Sequence, residues 1–218
     1  MLGQAHVNLT ENILCPSRPR LRKLARLVTH VTAPPVLAIP GYYLLGSIAQ
    51  ERYPIAGGFT MVLAMAFFFG VIAPIGLVVI LKMLNLIGDI HIGRQSQRTL
   101  PFTLCILSFS LGTLVMWNSF GWHLLTALLG CYAVNTLLVM LINFKWKISV
   151  HAAGIGGPIA AFFLAVGWSV LPFMMLLLSV VCWARVHLKA HSVSQVLAGS
   201  TLGFATTLLL FGFFQVPL

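Results

Sequence analysis

The longest apolar run, residues 57–84, carries no charged side chain before Lys82, and further runs lie at roughly 35–49, 101–117, 122–142, 151–168, 170–184 and 196–214. A helix that crosses a bilayer needs about 20 such residues, and several of these runs sit near the lower end of that length. Inside lipid each backbone N–H and C=O must be satisfied within the segment, which selects helices. With 59% hydrophobic and 7% charged residues, too little polar surface remains for a separate water-soluble domain. The expected fold is all-α: a polytopic membrane helix bundle of about six to seven transmembrane helices, six if the first run lies in the interface.

Residues 1–34 read as a basic N-terminal tail and 35–218 as a single transmembrane domain. Hydrophobicity begins near Val36, after the basic stretch SRPRLRKLAR, so the first run is expected to be an anchor and not a cleaved leader. Arg52-Tyr53-Pro54, Asn118 to Gly121 and Gly167 to Ser169 mark one set of turns, and basic loops mark the other. Twelve of the thirteen Lys and Arg residues then fall on the N-terminal side, leaving Arg52 alone opposite. The positive-inside rule makes the N-terminal side cytoplasmic in a cell membrane. Tyr53, Trp117, Trp122 and Trp168 mark the other side as an aromatic belt. Ala153/Gly157 and Gly199/Gly203 are small residues at four-residue spacing, suited to close helix packing. The formal charge of +10 sits in short loops with no domain to form a groove, so it points to membrane lipids as partners and away from nucleic acid. Cys15, Cys105, Cys131 and Cys182 have no paired or metal-site spacing. Nothing in the sequence specifies an oligomeric state.

Three distant polar stretches return to the N-terminal side: GDIHIGRQSQRTLP (88–101), KWKISVHAAG (145–154) and ARVHLKAHSVSQ (184–195). A helical hairpin separates each from the next, so they share one membrane face. They offer Arg94, Arg98, Lys147 and Arg185, with His151 and His191 and, beside the histidines, Ser149 and Gln195. Cations and histidines with almost no carboxylates suit an anion, and arginine holds phosphate in a bidentate fork. No metal and no cofactor is implied. Lys82, Lys145 and Lys189 read as topology signals, and His6, His30, His91, His123 and His187 fall in no constellation.

The spacing Arg185-x5-His191-x3-Gln195 resembles the third signature of the type-2 phosphatidic acid phosphatase superfamily, Ser-Arg-x5-His-x3-Asp. ISVHAAG is similar to its second, Pro-Ser-Gly-His, through Ser149 and His151, and RQSQRTLP is a looser form of its first, Lys-x6-Arg-Pro, with Arg98 as the arginine. The likeness covers about residues 88–205 in the family's order. It implies a metal-independent lipid-phosphate phosphatase acting on a phosphomonoester or diphosphate of a lipid or polyprenol. His191 would attack phosphorus, His151 would protonate the leaving alkoxide, and Arg98, Arg185 and Arg94 would hold the equatorial oxygens, with Ser149 and Lys147 completing the cradle.

Two positions depart from the pattern: Ala184 replaces the family's serine and Gln195 replaces the aspartate that orients the nucleophile. Gln195 lies one helical turn past His191, so its amide oxygen can accept from Nδ1–H, but it brings no charge. A catalytically silent member of the same fold, acting as a lipid-binding or membrane-complex scaffold protein, is therefore the alternative expectation. A prenyltransferase would need aspartate clusters for magnesium, and the chain has only Glu11, Glu51 and Asp89.

Overall fold

A computed structural model describes residues 19–54, 58–88 and 95–216. Among these, all regular structure is helical: α1 (Pro19–Val31), α2 (Pro34–Arg52), α3 (Phe59–Met83), α4 (Thr99–Phe120), α5 (Leu124–Asn143), α6 (Val150–Val166), α7 (Leu171–His187) and α8 (Val193–Phe213). The chain is an all-α membrane protein. Five helical segments, α3, α4 with the turn at Gln95–Gln97, α5, α7 with the turn at Trp168–Val170, and α8, are long and apolar enough to cross a bilayer. α1 and α2 together form a sixth such segment, bent by 50°, and α6 is apolar but only 17 residues long.

Residues 19–31, read from the sequence as part of a tail, are helical. Leu21, Leu24, Ala25 and Val28 recur at helical spacing between the basic residues, so the segment is amphipathic. Ala25 and Thr29 are buried, the helix packs on α7, and Val28 meets the cluster of Ile155, Ile159 and Val181. Prolines at the first two positions of α2 fit there because their missing N–H groups would have had no helical partner.

Pro74 does not break α3. One π-helical turn, Phe68–Ile72, precedes it and supplies the extra residue that relieves the clash between the proline ring and the carbonyl four positions earlier. Gly70 in that turn lies so close to Tyr42 of α2 that a Cβ would stand 2.8 Å from the ring carbon Cζ.

The main core forms around α5, where Leu124, Leu125, Leu128 and Leu129 meet Tyr42 and Leu45 of α2 and Met116 of α4. On the outside, Leu107, Leu111 and Leu114 of α4 are more than half exposed, a stripe at helical spacing that faces lipid. The closest helix pair is α6 and α8, joined backbone to backbone. A Cβ on Gly156 would run into Ser200 O, one on Gly203 into Ala153 O, and one on Gly199 would lie 2.5 Å from Ser149 O.

Helices α4 to α8 alternate in direction, so α4, α6 and α8 all begin at one face. Single cysteines introduced by Ser96→Cys and Lys189→Cys are expected to react with an impermeant thiol reagent from the same side. Ser119→Cys and Trp168→Cys should react only from the other. Labelling of positions 96 and 189 from opposite sides would contradict this arrangement.

Candidate functional site

The site is built from the α7–α8 junction. α7 ends in a Schellman motif: Lys189 turns left-handed with φ 53°, its N–H donates to Val186 O at 2.9 Å, and Ala190 N–H donates to Arg185 O at 3.1 Å. His191 N–H also donates to Arg185 O, at 3.3 Å. The five residues between Arg185 and His191 are thus the length of one helix stop, and that stop ties the two candidate residues together through the backbone. Lys189, which the sequence suggests only as a topology charge, occupies the left-handed position that glycine usually fills.

α8 starts at once. Ser192 caps it, accepting from Gln195 N–H at 3.3 Å, while Gln195 Oε1 accepts from Ser192 N–H at 3.1 Å. This reciprocal capping box fixes Gln195. The same Oε1 lies 3.2 Å from His191 Nδ1, and Lys147 O lies 3.2 Å from that nitrogen on another side.

These contacts decide the tautomer. Lys147 O can only accept, and Gln195 Oε1 is identified as the oxygen because a backbone N–H points at it. Nδ1 must therefore carry the hydrogen, which leaves the lone pair on Nε2. His191 is 6% exposed. Its pKa is pushed down to about 4, first by burial and then by the positive fields of Arg185 and Arg98, against the opposing pull of its bonds to Gln195 and Lys147 O.

The 145–149 loop delivers the other acceptors. Ser149 is fully buried and caps α6, its Oγ accepting from Ala152 N–H at 3.4 Å. Its own N–H donates to Gln195 O at 3.2 Å, which fastens this loop to the first turn of α8. His151 sits in the first turn of α6 with its Nε2 buried. Burial, Arg98 and Arg185, in that order, lower the Lys147 ammonium pKa.

Arg98, at the start of α4, is 4% exposed, and its Nη1 donates to Asn143 Oδ1 and Ile148 O, both at 3.4 Å. Arg185 is 8% exposed, and its Nε has no hydrogen-bond acceptor among the described residues. The two guanidinium groups lie within electrostatic reach of each other. Two buried like charges, with His191 and Lys147 in their field, cost free energy unless an anion sits among them. Three helix N-termini on this face, those of α4, α6 and α8, add positive dipole ends.

Arg98, Lys147, Ser149, Arg185, His191 and Gln195 thus come together from all three polar stretches. Arg94 lies outside the described residues. Two residues were not singled out by sequence reasoning. Asn143, at the end of α5, orients Arg98 through Oδ1, and its Nδ2 donates to Gln95 O at 3.2 Å while Gln95 Nε2 donates to Asn143 O at 2.5 Å. The signal available for Asn143 was a lone amide at the polar end of an apolar run, where an unpartnered amide would be costly.

A lowered histidine pKa has a defined sign in stability. Above pH 6.5 both folded and unfolded His191 are neutral and the shift contributes nothing. Below it the unfolded chain takes up a proton that the folded chain refuses, so stability declines as pH falls toward 4. His191→Gln should therefore lose less stability than wild type between pH 7 and 5, by about 2 kcal/mol. Parallel melting temperatures for the two proteins across that range would count against the buried neutral imidazole.

Comparison with family models, with curated proteins and with solved structures gives no match to this chain, so the site speaks through its own geometry.

Proposed function

We propose that this protein is a membrane-embedded, metal-independent phosphatase that hydrolyses a lipid phosphate, a phosphomonoester or diphosphate of a lipid or polyprenol, through a phosphohistidine. The observation that carries the reading is the hydrogen-bond accounting at His191. Both neighbours of Nδ1 are acceptors, so the nucleophilic lone pair is on Nε2, and that nitrogen belongs to a ring buried beside Arg98 and Arg185.

In this scheme Nε2 attacks phosphorus and the P–O bond to the lipid breaks. His151 gives its proton to the departing alkoxide, while Arg98, Arg185 and Lys147 hold the equatorial oxygens as charge builds. Arg94 and the Ser149 hydroxyl complete the cradle. Water, deprotonated by His151, then attacks the phosphohistidine, the N–P bond breaks and inorganic phosphate leaves. Nδ1 keeps its hydrogen throughout. The imidazolium formed in the first step leans on two neutral acceptors instead of a carboxylate, so attack is slower than it would be beside a negative partner. The resemblance of 88–205 to the phosphatidic acid phosphatase signatures supports the same assignment. The twelve-to-one distribution of Lys and Arg supports a cytoplasmic site, with the lipid tails in the bilayer.

One observation favours a silent, lipid-binding scaffold: Gln195 is fully accounted for by the α8 capping box, with no need for a catalytic role. Phosphate release separates the two. Purified protein given phosphatidic acid, phosphatidylglycerol phosphate and undecaprenyl phosphate and diphosphate should release phosphate from at least one, equally with and without EDTA. Binding of these lipids without any release would establish the scaffold. Activity lost to EDTA and restored by magnesium would remove the phosphohistidine mechanism.

A further inference from the structure

Helix α1 contains Arg20, Arg22, Lys23 and Arg26, all exposed, and no acidic residue. At about 100° per residue its side chains divide into three faces. Ala25 and Thr29 turn inward. Leu24, Leu27 and Val31 form a second face that is 48, 59 and 56% exposed and uncovered among the described residues. Arg22, Lys23 and Arg26 form the third, and Arg20 sits near the start of the apolar face, where its long stem can carry the charge outward.

Charge and the bend place this helix. α2 reaches the length and apolarity of a span only together with α1, and the four cations of α1 are too costly to hold in hydrocarbon. The 50° bend turns α1 away from the α2 axis, at headgroup level. There the leucine and valine face meets hydrocarbon and the cationic face meets headgroups, the arrangement of an interfacial helix. The sequence holds only three carboxylates, Glu11, Glu51 and Asp89, and Glu51 is at the far end of α2. Among the described residues no acidic side chain neutralises this face.

α1 is also seated beside the site. Val28 packs against the cluster that includes Val181, one turn before Arg185. At the elbow, Pro34 lies against Gly154 in the second turn of α6, where a Cβ on the glycine would stand 2.8 Å from the Pro34 ring. We propose that α1 is an interfacial helix that binds anionic phospholipid headgroups and keeps them enriched in the bilayer at the mouth of the Arg98–Arg185–His191 site. This binding needs no hydrolysis and stands independently of the phosphatase assignment.

The test uses the full-length protein in phosphatidylcholine bilayers with spin-labelled lipids. Labelled phosphatidylglycerol should be immobilised at the protein more than labelled phosphatidylcholine, and the preference should vanish in Arg22→Gln/Lys23→Gln/Arg26→Gln. Salt should erode it in wild type as well, which keeps the idea testable if the triple variant misfolds. A spin label on Leu27→Cys should be more accessible to oxygen than to a polar nickel chelate, and one on Lys23→Cys the reverse. A phosphatidylglycerol preference that survives the triple substitution in a folded protein, one that salt leaves unchanged, or a water-exposed label at position 27 would overturn the proposal.

Discussion

Gly203→Ala is expected to destabilise the protein by about 3 kcal/mol, the upper part of the range for overpacking a tight interior. A single methyl group at this position runs into Ala153 O, which belongs to the backbone of α6 and cannot rotate away. The two helices would have to separate, and the separation would be felt at the site. Ser149 N–H reaches Gln195 O only because Gly199, one turn before Gly203, lets α6 and α8 touch. Gly76→Ala is the matched control. A Cβ there meets nothing within 4 Å, so the substitution should cost nothing and can gain a few tenths of a kcal/mol from helix propensity. Thermal unfolding in one detergent reads both. Equal melting temperatures for Gly203→Ala and Gly76→Ala would mean that α6 and α8 are not in backbone contact.

His191→Ala should remove phosphate release altogether, a loss on the order of 10⁴-fold or more, while lipid phosphate still binds. In the proposed mechanism binding belongs to Arg98, Arg185 and Lys147 and attack to Nε2 alone, so the two properties should separate in one variant. The complementary substitution is Gln195→Glu. It keeps the reach of the side chain and the capping box, which accepts Glu at this position as readily as Gln, and adds a negative charge next to Nδ1–H. The rate should rise about tenfold, the value of one pKa unit of added imidazolium stabilisation. The carboxylate would also raise the His191 pKa from about 4, so the acid limb of the rate profile should move upward with it. An unchanged rate and an unchanged acid limb would mean that the Gln195–His191 contact does not matter to the chemistry.

Much of this architecture was legible because lipid imposes simple demands. The run at 122–142 and helix Leu124–Asn143 differ only at the ends, as do the run at 196–214 and helix Val193–Phe213. Hydrophobicity and the breaks at Gly121 and Gly167 were enough to count hairpins. Counting hairpins brought the three polar stretches to one face. Other features carry weaker signals. α1 hides its apolar spacing among arginines, and a count of charge sees only a tail. The π-helical turn before Pro74 is one way among several of accommodating a proline. At the site, Lys147 and Ile148 act through main-chain carbonyls, which every residue possesses and no motif can display. Ser192-x-x-Gln195 has the spacing of a capping box, and Gln195 serves the start of α8 as well as His191.

In the proposed mechanism His191 Nε2 takes phosphate from a lipid. The most direct measurement is to incubate the protein in EDTA with a lipid phosphate radiolabelled on phosphorus, quench in base, and ask whether label is bound to the polypeptide through an acid-labile, base-stable N–P bond. Such label is expected on wild type, with its loss on standing in acid and its absence from His191→Ala. Phosphate released from the lipid by wild type and His191→Ala at the same rate, with no label trapped on either, would contradict it.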